Sequence, residues 1–440
     1  MSEAIDSGAS VAGTRVGRQR TLWGGAFGHF IEFYDWSIYG FLAGIFAAQM
    51  FPAGNATVSL IASFAAFAVG FLGRPIGAFV LSPLADKYGR RVMLSATILM
   101  AGLGSLVVAI CPTYAEVGIV APLIIVLARL LQGFSAGGEY QIAISFLNEH
   151  APTRNRAFAA SPQQFSIGIS VLVATAVAAL TTKYLSPADL TAWGWRLPFL
   201  LGAVLSLFGF YLRSGLDETP TFAKQQRENA RTRREVRATS IVSSLAKFPR
   251  EVFIVFVVSL NGLQYYLWMI FLPTYAYLVG GLDRTLGFAG SILASITYCI
   301  CVPLFAFISD RIGRKPFLIG AALCFLLFTY PLLSMLAVPH LTFHVFAFVA
   351  VVGAMFVSLN NAVLGTVFAE LFPTRVRASG IGIPYAVCSS IFGGTAPMVA
   401  AWLHQLGGPI YLSLYVMVVC FISLVTHAFL TPETRGRSLD

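Results

Sequence analysis

Residues 29 to 36 read HFIEFYDW, placing an imidazole and two carboxylates, His29, Glu32 and Asp35, inside one of the most apolar parts of the sequence. Charge in hydrocarbon is costly, so an acid at such a position marks a path for ions, protons or substrate by default. Glu32 and Asp35 share a helical face at i,i+3 spacing, and His29 lies one turn earlier. Two cations sit comparably deep, Arg74 in GFLGRPIGA and Arg129 in RLLQGFSAGGEY, and the second stretch also carries Glu139. A carboxylate in a low-dielectric site can load and release protons, and loading removes the charge that makes passage through a closed intermediate expensive. The chemistry these residues allow is proton exchange and switchable charge pairing, with His29 as a relay. No span or loop offers a nucleophile beside its base, a metal cluster or a phosphate-cradling loop, so no enzyme, cofactor or metal is expected.

The elements that must position these groups are membrane spans. Of the 440 residues, 57% are hydrophobic and 11% charged, against about 25% charged in soluble domains. Apolar runs near 20 residues long, enough to cross hydrocarbon as a helix, fit at 22–48, 58–81, 92–111, 120–148, 157–181, 195–213, 251–278, 287–308, 316–337, 341–369, 378–404 and 409–430. Residues 1–21 form a basic tail without the apolar core of a cleaved signal peptide. Lys and Arg crowd into one alternating set of loops, whereas the opposite loops hold Lys183 and Arg284. By the positive-inside rule both termini and the middle loop are cytoplasmic. Topology thus accounts for the net charge of +10 without a nucleic-acid partner. The six cysteines lack CxxC spacing and read as packing residues.

An internal repeat organises the spans. SPLADKYGRR at 82–91 returns as AFISDRIGRK at 306–315, and NEHAPTRNRA at 148–157 returns as AELFPTRVRA at 369–378. Asp86 and Asp310 are 224 residues apart; Glu149 and Glu370, like Arg154 and Arg375, are 221 apart. The expected fold is an all-α membrane protein of two six-helix halves, 22–213 and 251–430, joined by a basic linker at 214–250 and ending in a tail at 431–440. Each half puts an Asp in a short loop, a Gly-Arg turn, a Glu at the end of its fourth span and Arg just beyond. Asp86, Arg90, Glu139, Glu149, Arg154, Asp310, Arg314, Glu370 and Arg375 read as a charged cytoplasmic gate that locks one conformation and breaks in the other.

Counting 1.5 Å per residue puts Asp35 roughly 20 Å from the cytoplasmic side and Arg129 roughly 13 Å from the outside, nearly one level in a core of about 30 Å. The count pairs Asp35 with Arg129 and Arg74 with Glu139, and leaves Glu32 without a cation. Other polar or aromatic groups in spans are candidates for a pocket wall: Tyr34 and Tyr39, Gln163 and Gln164, Asn261, Gln264, Tyr265, Tyr266 and Trp268, Asn360 and Asn361, and Tyr385. Tyr34, Gln164, Gln264, Asn361 and Tyr385 join Arg129 and Arg74 as expected substrate contacts. The alternative for each is helix packing.

The D-[KR]-x-G-R-[RK] signature, the R-x-x-x-G-x-x-x-G of Arg129, Gly133 and Gly137, and the two repeats resemble the major facilitator superfamily. GHFIEFYDW, GFLGRPIGA, RLLQGFSAGGEY, WGWRLPF and IFGGTAP resemble its metabolite:proton symporter branch along nearly the whole chain. The resemblance implies a bacterial inner-membrane transporter working by alternating access. Within it the expected function is proton symport of a small organic acid, with protons and that acid as the partners, no obligate protein partner, and Glu32, Asp35 and His29 as the proton-coupling groups. A zwitterion such as proline or betaine is the alternative within the branch, and a non-transporting membrane sensor the alternative from another class. Gln141 and Ile142 depart from the branch's small residues after GGEY, so substrate identity does not follow from the resemblance.

Overall fold

The computed structural model describes residues 28–88, 90–137, 144, 147–148, 151–214, 247–373 and 376–439; within these, the side chains at 82, 83, 85–88, 90, 91, 94, 212–214, 378 and 379 are not described. The described residues are helical almost throughout. In hydrocarbon no water satisfies backbone N–H and C=O groups, so each crossing segment must bond within itself. The long helices in chain order are α1 (28–50), α2 (Ala56–Tyr88), α3 (Arg90–Ile110), α4 (Val120–Ala136), α5 (Thr153–Tyr184) and α6 (Leu197–Ser214). After the undescribed 215–246 come α7 (Pro249–Gly280), α8 (Arg284–Ile312), α9 (Lys315–Leu336), α10 (Phe343–Leu371), α11 (Gly380–Gly407) and α12 (Pro409–Phe429). Nine of them are long and apolar enough to cross a membrane by length and composition, and the apolar stretches of α3 and α4 are shorter. Large apolar side chains such as Leu127, Leu207, Leu327 and Phe421 point outward. Ser, Asn, Gln and charged groups are turned inward, the reverse of a soluble bundle.

Packing repeats with the sequence. In the first half α2 lies on α4 and α3 on α6; in the second, α8 lies on α10 and α9 on α12. The halves meet where α5 packs on α8 and α2 on α11. The α2–α4 seam is nearly backbone on backbone. A Cβ on Gly73 would sit 2.6 Å from the carbonyl of Leu130, and one on Gly70 would sit 2.9 Å from that of Arg129. Gly133, Gly77 and Gly137 face the opposing backbone in the same way. Small residues replace the missing hydrophobic drive between helices by allowing close van der Waals approach, and both Arg74 and Arg129 reach Trp36 beside this seam.

Several expected boundaries move. Residues 22–27 of the first span lie outside the described residues, as do most of 138–150 at the end of the fourth. Asp86 and Asp310 lie on helices, because α2 continues to Tyr88 and α8 to Ile312. Hydropathy reports where hydrocarbon ends; Leu, Ala, Asp and Lys permit the helix to continue past that level. α7 and α11 each contain a π-helical turn, at Tyr266–Phe271 and Ser389–Gly393, a feature frequent at functional sites.

Candidate functional site

The charges of the first half gather around one aromatic ring. Trp36 of α1 is buried with Phe67 and Phe71 of α2 against it, their centroids 5.2 and 4.2 Å away. The Arg74 guanidinium carbon lies 4.8 Å from the Trp36 centroid and 4.3 Å from that of Phe71. That of Arg129 lies 5.5 Å from Trp36 and 4.4 Å from Tyr39. Cation–π attraction gains strength where water is excluded, so both cations are held by rings that make no claim on their N–H donors.

The acids differ from the expected pairing. Glu32 does have a cation: its carboxylate lies 3.2 Å from Arg74 Nη2, and its other oxygen lies 3.9 Å from His29 Nδ1. His29 Nε2 is 3.2 Å from the amide nitrogen of Gln163 on α5. Asp35 and Arg129 are electrostatic neighbours but form no ion pair within 4.0 Å; Asp35 sits near Ser105 of α3 and packs against Gly202 of α6. Neither Asp35 oxygen has a well-formed hydrogen bond. Three helical steps of 100° put Asp35 60° around α1 from Glu32, enough to aim the two at different neighbours. Glu139, assigned to Arg74 above, lies outside the described residues.

Arg129 is fully buried, and none of its three guanidinium nitrogens has a hydrogen-bond acceptor in the structure. A buried donor without an acceptor costs about 1–3 kcal/mol, more when charged.

Across the interface the second half offers tyrosines and amides. Tyr266 of α7 neighbours Arg74 electrostatically, as does Tyr385 of α11, and the Tyr265 ring stands 5.3 Å from that of Tyr266 and 6.3 Å from that of Tyr298. A directed chain links four helices: Asn261 donates to Asn361 (2.7 Å), Asn361 to the Tyr298 hydroxyl (2.8 Å), and Tyr298 to Gln164 of α5 (3.1 Å). It joins the two halves. Tyr298 was missed by the sequence reading because a lone aromatic in a span carries no signal of partners. Two expected contacts face elsewhere. Tyr34 donates to the Pro198 carbonyl of α6 at 2.9 Å, and Gln264 lies 3.1 Å from the Cys420 sulfur of α12.

At the face with the Arg-rich loops, Glu370 of α10 is the hub of a buried lock. It takes Arg156 Nη1 of α5 at 2.9 Å, Arg314 at 3.4 Å and the Thr434 hydroxyl at 2.7 Å. Arg314 also holds Asp310 at 2.7 Å, and Asp310 accepts the Ala157 and Phe158 amides, at 3.1 and 3.0 Å, across the halves. The cation from α5 in this lock is Arg156; Arg154, the expected one, is exposed. The first turn of the helix begun at Arg156 rotates that residue inward. Glu149 and Arg375 lie outside the described residues, and the side chains of Asp86 and Arg90 are not described. The tail braces the lock: Glu433 accepts the Arg314 and Lys315 amides at 2.9 and 3.1 Å, and the Arg437 carbonyl accepts from Arg156 at 2.8 Å. The charge-rich PETRGR run at 432–437 was the available clue. Among the described residues no cluster of three or more His, Cys, Asp or Glu could hold a metal.

Residues 23–440 match the family described as "Sugar (and other) transporter". The chain is 32% identical over 420 residues to the alpha-ketoglutarate permease of Escherichia coli (strain K12), covering 93% of this chain and 94% of the relative. It is 31% identical over 427 residues to the glycine betaine/proline/ectoine/pipecolic acid transporter OusA of Dickeya dadantii (strain 3937), covering 96% and 84%. Among solved structures it superposes on a D-xylose-proton symporter with a TM-score of 0.71 at 19% identity, covering 96% of this chain and 99% of that one. The partially occluded, inward-open xylose transporter XylE of E. coli gives a TM-score of 0.72 at 17% identity, with coverage of 96% and 99%.

Proposed function

Because the chain belongs to the sugar (and other) transporter family of the major facilitator superfamily, we propose that this multi-pass membrane transporter carries a small organic acid together with protons by alternating access. The observation that carries the reading is Arg129: a buried guanidinium between Trp36 and Tyr39 whose donors lack acceptors is a receptor for a carboxylate. Guanidinium–carboxylate hydrogen bonds are roughly twice as strong as neutral ones. The four charges Arg74, Arg129, Glu32 and Asp35 sum to zero, so a bound anion leaves the site negative by its own charge, and protons on Glu32 and Asp35 offset up to two of those charges. Coupling follows from that charge balance. In this reading Glu32, held between Arg74 and His29, and Asp35 are the proton sites. The wall is Gln164, Asn361, Tyr298 and Tyr385, and the two halves form separate rocking units about the 214–250 linker. The Arg-rich face, with both termini, lies in the cytoplasm of a bacterial inner membrane, and the Glu370 lock is its cytoplasmic gate.

A second reading is supported by Tyr265, Tyr266 and Tyr298, whose clustered rings suit a quaternary ammonium. Betaines pair such a cation, and proline a secondary ammonium, with a single carboxylate, and OusA is named for that class. The test is uptake into proteoliposomes under an imposed inward proton gradient, with 2-oxoglutarate, citrate, shikimate and proline betaine, each with and without a protonophore. Accumulation of an acid that collapses with the gradient is the expected result. Accumulation of proline betaine alone selects the second reading, and binding without accumulation of any compound points to a sensor.

A further inference from the structure

The face opposite the lock carries a cation that positive-inside topology does not require. Arg284 opens α8 and lies 26 residues before Asp310, about 39 Å along the helix axis. Among the described residues of this face its basic companions are Lys183 and Arg196. Arg196 donates to the Ala192 and Cys111 carbonyls, both within the first half. Arg284 is different, because it reaches across the halves.

Its Nη2 donates to the Gly44 carbonyl of α1 at 3.2 Å, and its guanidinium carbon lies 4.2 Å from the Tyr277 ring centroid on α7. It lines a cavity of about 120 Å³ between the ends of α1, α2, α7 and α8, together with Gly44, Ala48, Leu60, Thr274 and Tyr277. Thr285 makes a second, longer link to Thr182 of α5 at 3.4 Å. Among the described residues no carboxylate lies within ion-pair distance of Arg284. Its neighbour Asp283 caps α8, accepting the Thr285 and Leu286 amides at 2.8 and 3.2 Å. One neutral carbonyl therefore takes a cation that has five N–H donors.

We infer that Arg284 is an outer capture site for carboxylates and at the same time the latch of the outer gate. An incoming carboxylate offers charge-assisted, bidentate bonds that outcompete a single bond to the Gly44 carbonyl. Taking the carboxylate releases α1 from α8. Gly44 lies nine residues beyond Asp35 on α1, about 14 Å along the axis, so the captured anion stands one step outside the Arg129 site. Tyr277 holds the guanidinium plane at the cavity while its partners exchange. This inference rests on the proposed transport of a carboxylate, and its test is read without transport.

The full-length chain carrying Ala47→Cys, a buried position lining the cavity, is reconstituted and labelled from outside with a membrane-impermeant maleimide; the chain without Ala47→Cys sets the background. Arg284→Gln is expected to label at least fivefold faster without ligand, since the latch is gone. Added 2-oxoglutarate or citrate is expected to speed labelling severalfold in the Arg284 chain, less as salt rises, and to leave Arg284→Gln unchanged. Arg284→Lys keeps the charge without the fork and is expected to respond at several-fold higher concentration, which also serves if Arg284→Gln does not reconstitute. Equal labelling of Arg284 and Arg284→Gln without ligand overturns the latch. A carboxylate response that is absent, or the same in both chains, overturns the capture site. Because labelling needs no accumulation, failure of the uptake experiment leaves either outcome readable.

Discussion

Replacing Glu370 by Gln removes the single carboxylate that two buried arginines share. Glu370 is 4% exposed, Arg156 2% and Arg314 1%. After the substitution Arg314 keeps Asp310 at 2.7 Å, but Arg156 keeps only the Arg437 carbonyl at 2.8 Å and the Thr153 hydroxyl at 3.3 Å. Removing one partner of a buried pair costs about 3–5 kcal/mol, chiefly because the other charge stays buried. If the lock closes the Arg-rich face as proposed, this cost shifts the closed-to-open ratio by roughly 2 × 10² to 5 × 10³. The assay is maleimide labelling of Ala306→Cys, a buried position one turn from Asp310 on α8, whose rate follows the open fraction. The sign of the double variant is the sharper test. Arg156→Gln added to Glu370→Gln removes the stranded charge and should slow labelling again by about tenfold, since much of the penalty is the unpaired ion. If the double variant labels faster than Glu370→Gln alone, the two residues act independently and the reasoning from a shared buried charge is wrong.

Arg129→Gln should retain its fold, because the arginine makes no protein hydrogen bond, yet lose carboxylate binding by at least 10²-fold, read by ligand-induced thermal shift; unchanged binding would remove Arg129 as the receptor. Glu32→Gln and Asp35→Asn should keep substrate exchange across the membrane while losing accumulation driven by a proton gradient, a split measured by counterflow against gradient-driven uptake. Burial alone would raise the pKa of Glu433, but amide hydrogen bonds from Arg314, Arg435, Lys315 and Thr434 outweigh it and hold the carboxyl below its ordinary 4.5. A depressed folded-state pKa stabilises above the unfolded value and is lost as pH falls through the folded one. Thermal scans of Glu433→Gln and the parent should thus differ slightly at neutral pH and converge below pH 4.5. Asn361→Ala strands Tyr298 and Asn261 at once and should cost about 1–3 kcal/mol, visible as a lowered melting temperature.

The membrane-spanning class, the repeat and the candidate charges were legible in the chain because hydrocarbon imposes a length of about 20 apolar residues and penalises every charge within it. HFIEFYDW, Arg74 and Arg129 stand out against that background whatever their partners. The small residues Gly73 and Gly77 are the sequence counterpart of the close α2–α4 seam, since only small residues in register allow such approach. Partner choice was not legible. Depth counting gives a level along the membrane normal and says nothing of azimuth, so it matched Asp35 to Arg129 when α1 turns Glu32 toward Arg74 and Asp35 toward α3 and α6. The same blindness hid Tyr298, misplaced Tyr34 and Gln264, and picked Arg154 over Arg156. It also hid the role of the tail, because the amides Glu433 accepts, from Arg314 and Lys315 at the start of α9, lie 119 and 118 residues away in sequence. Composition selects which groups must find partners in a dry interior; helix rotation and the packing of distant segments decide which partners they find.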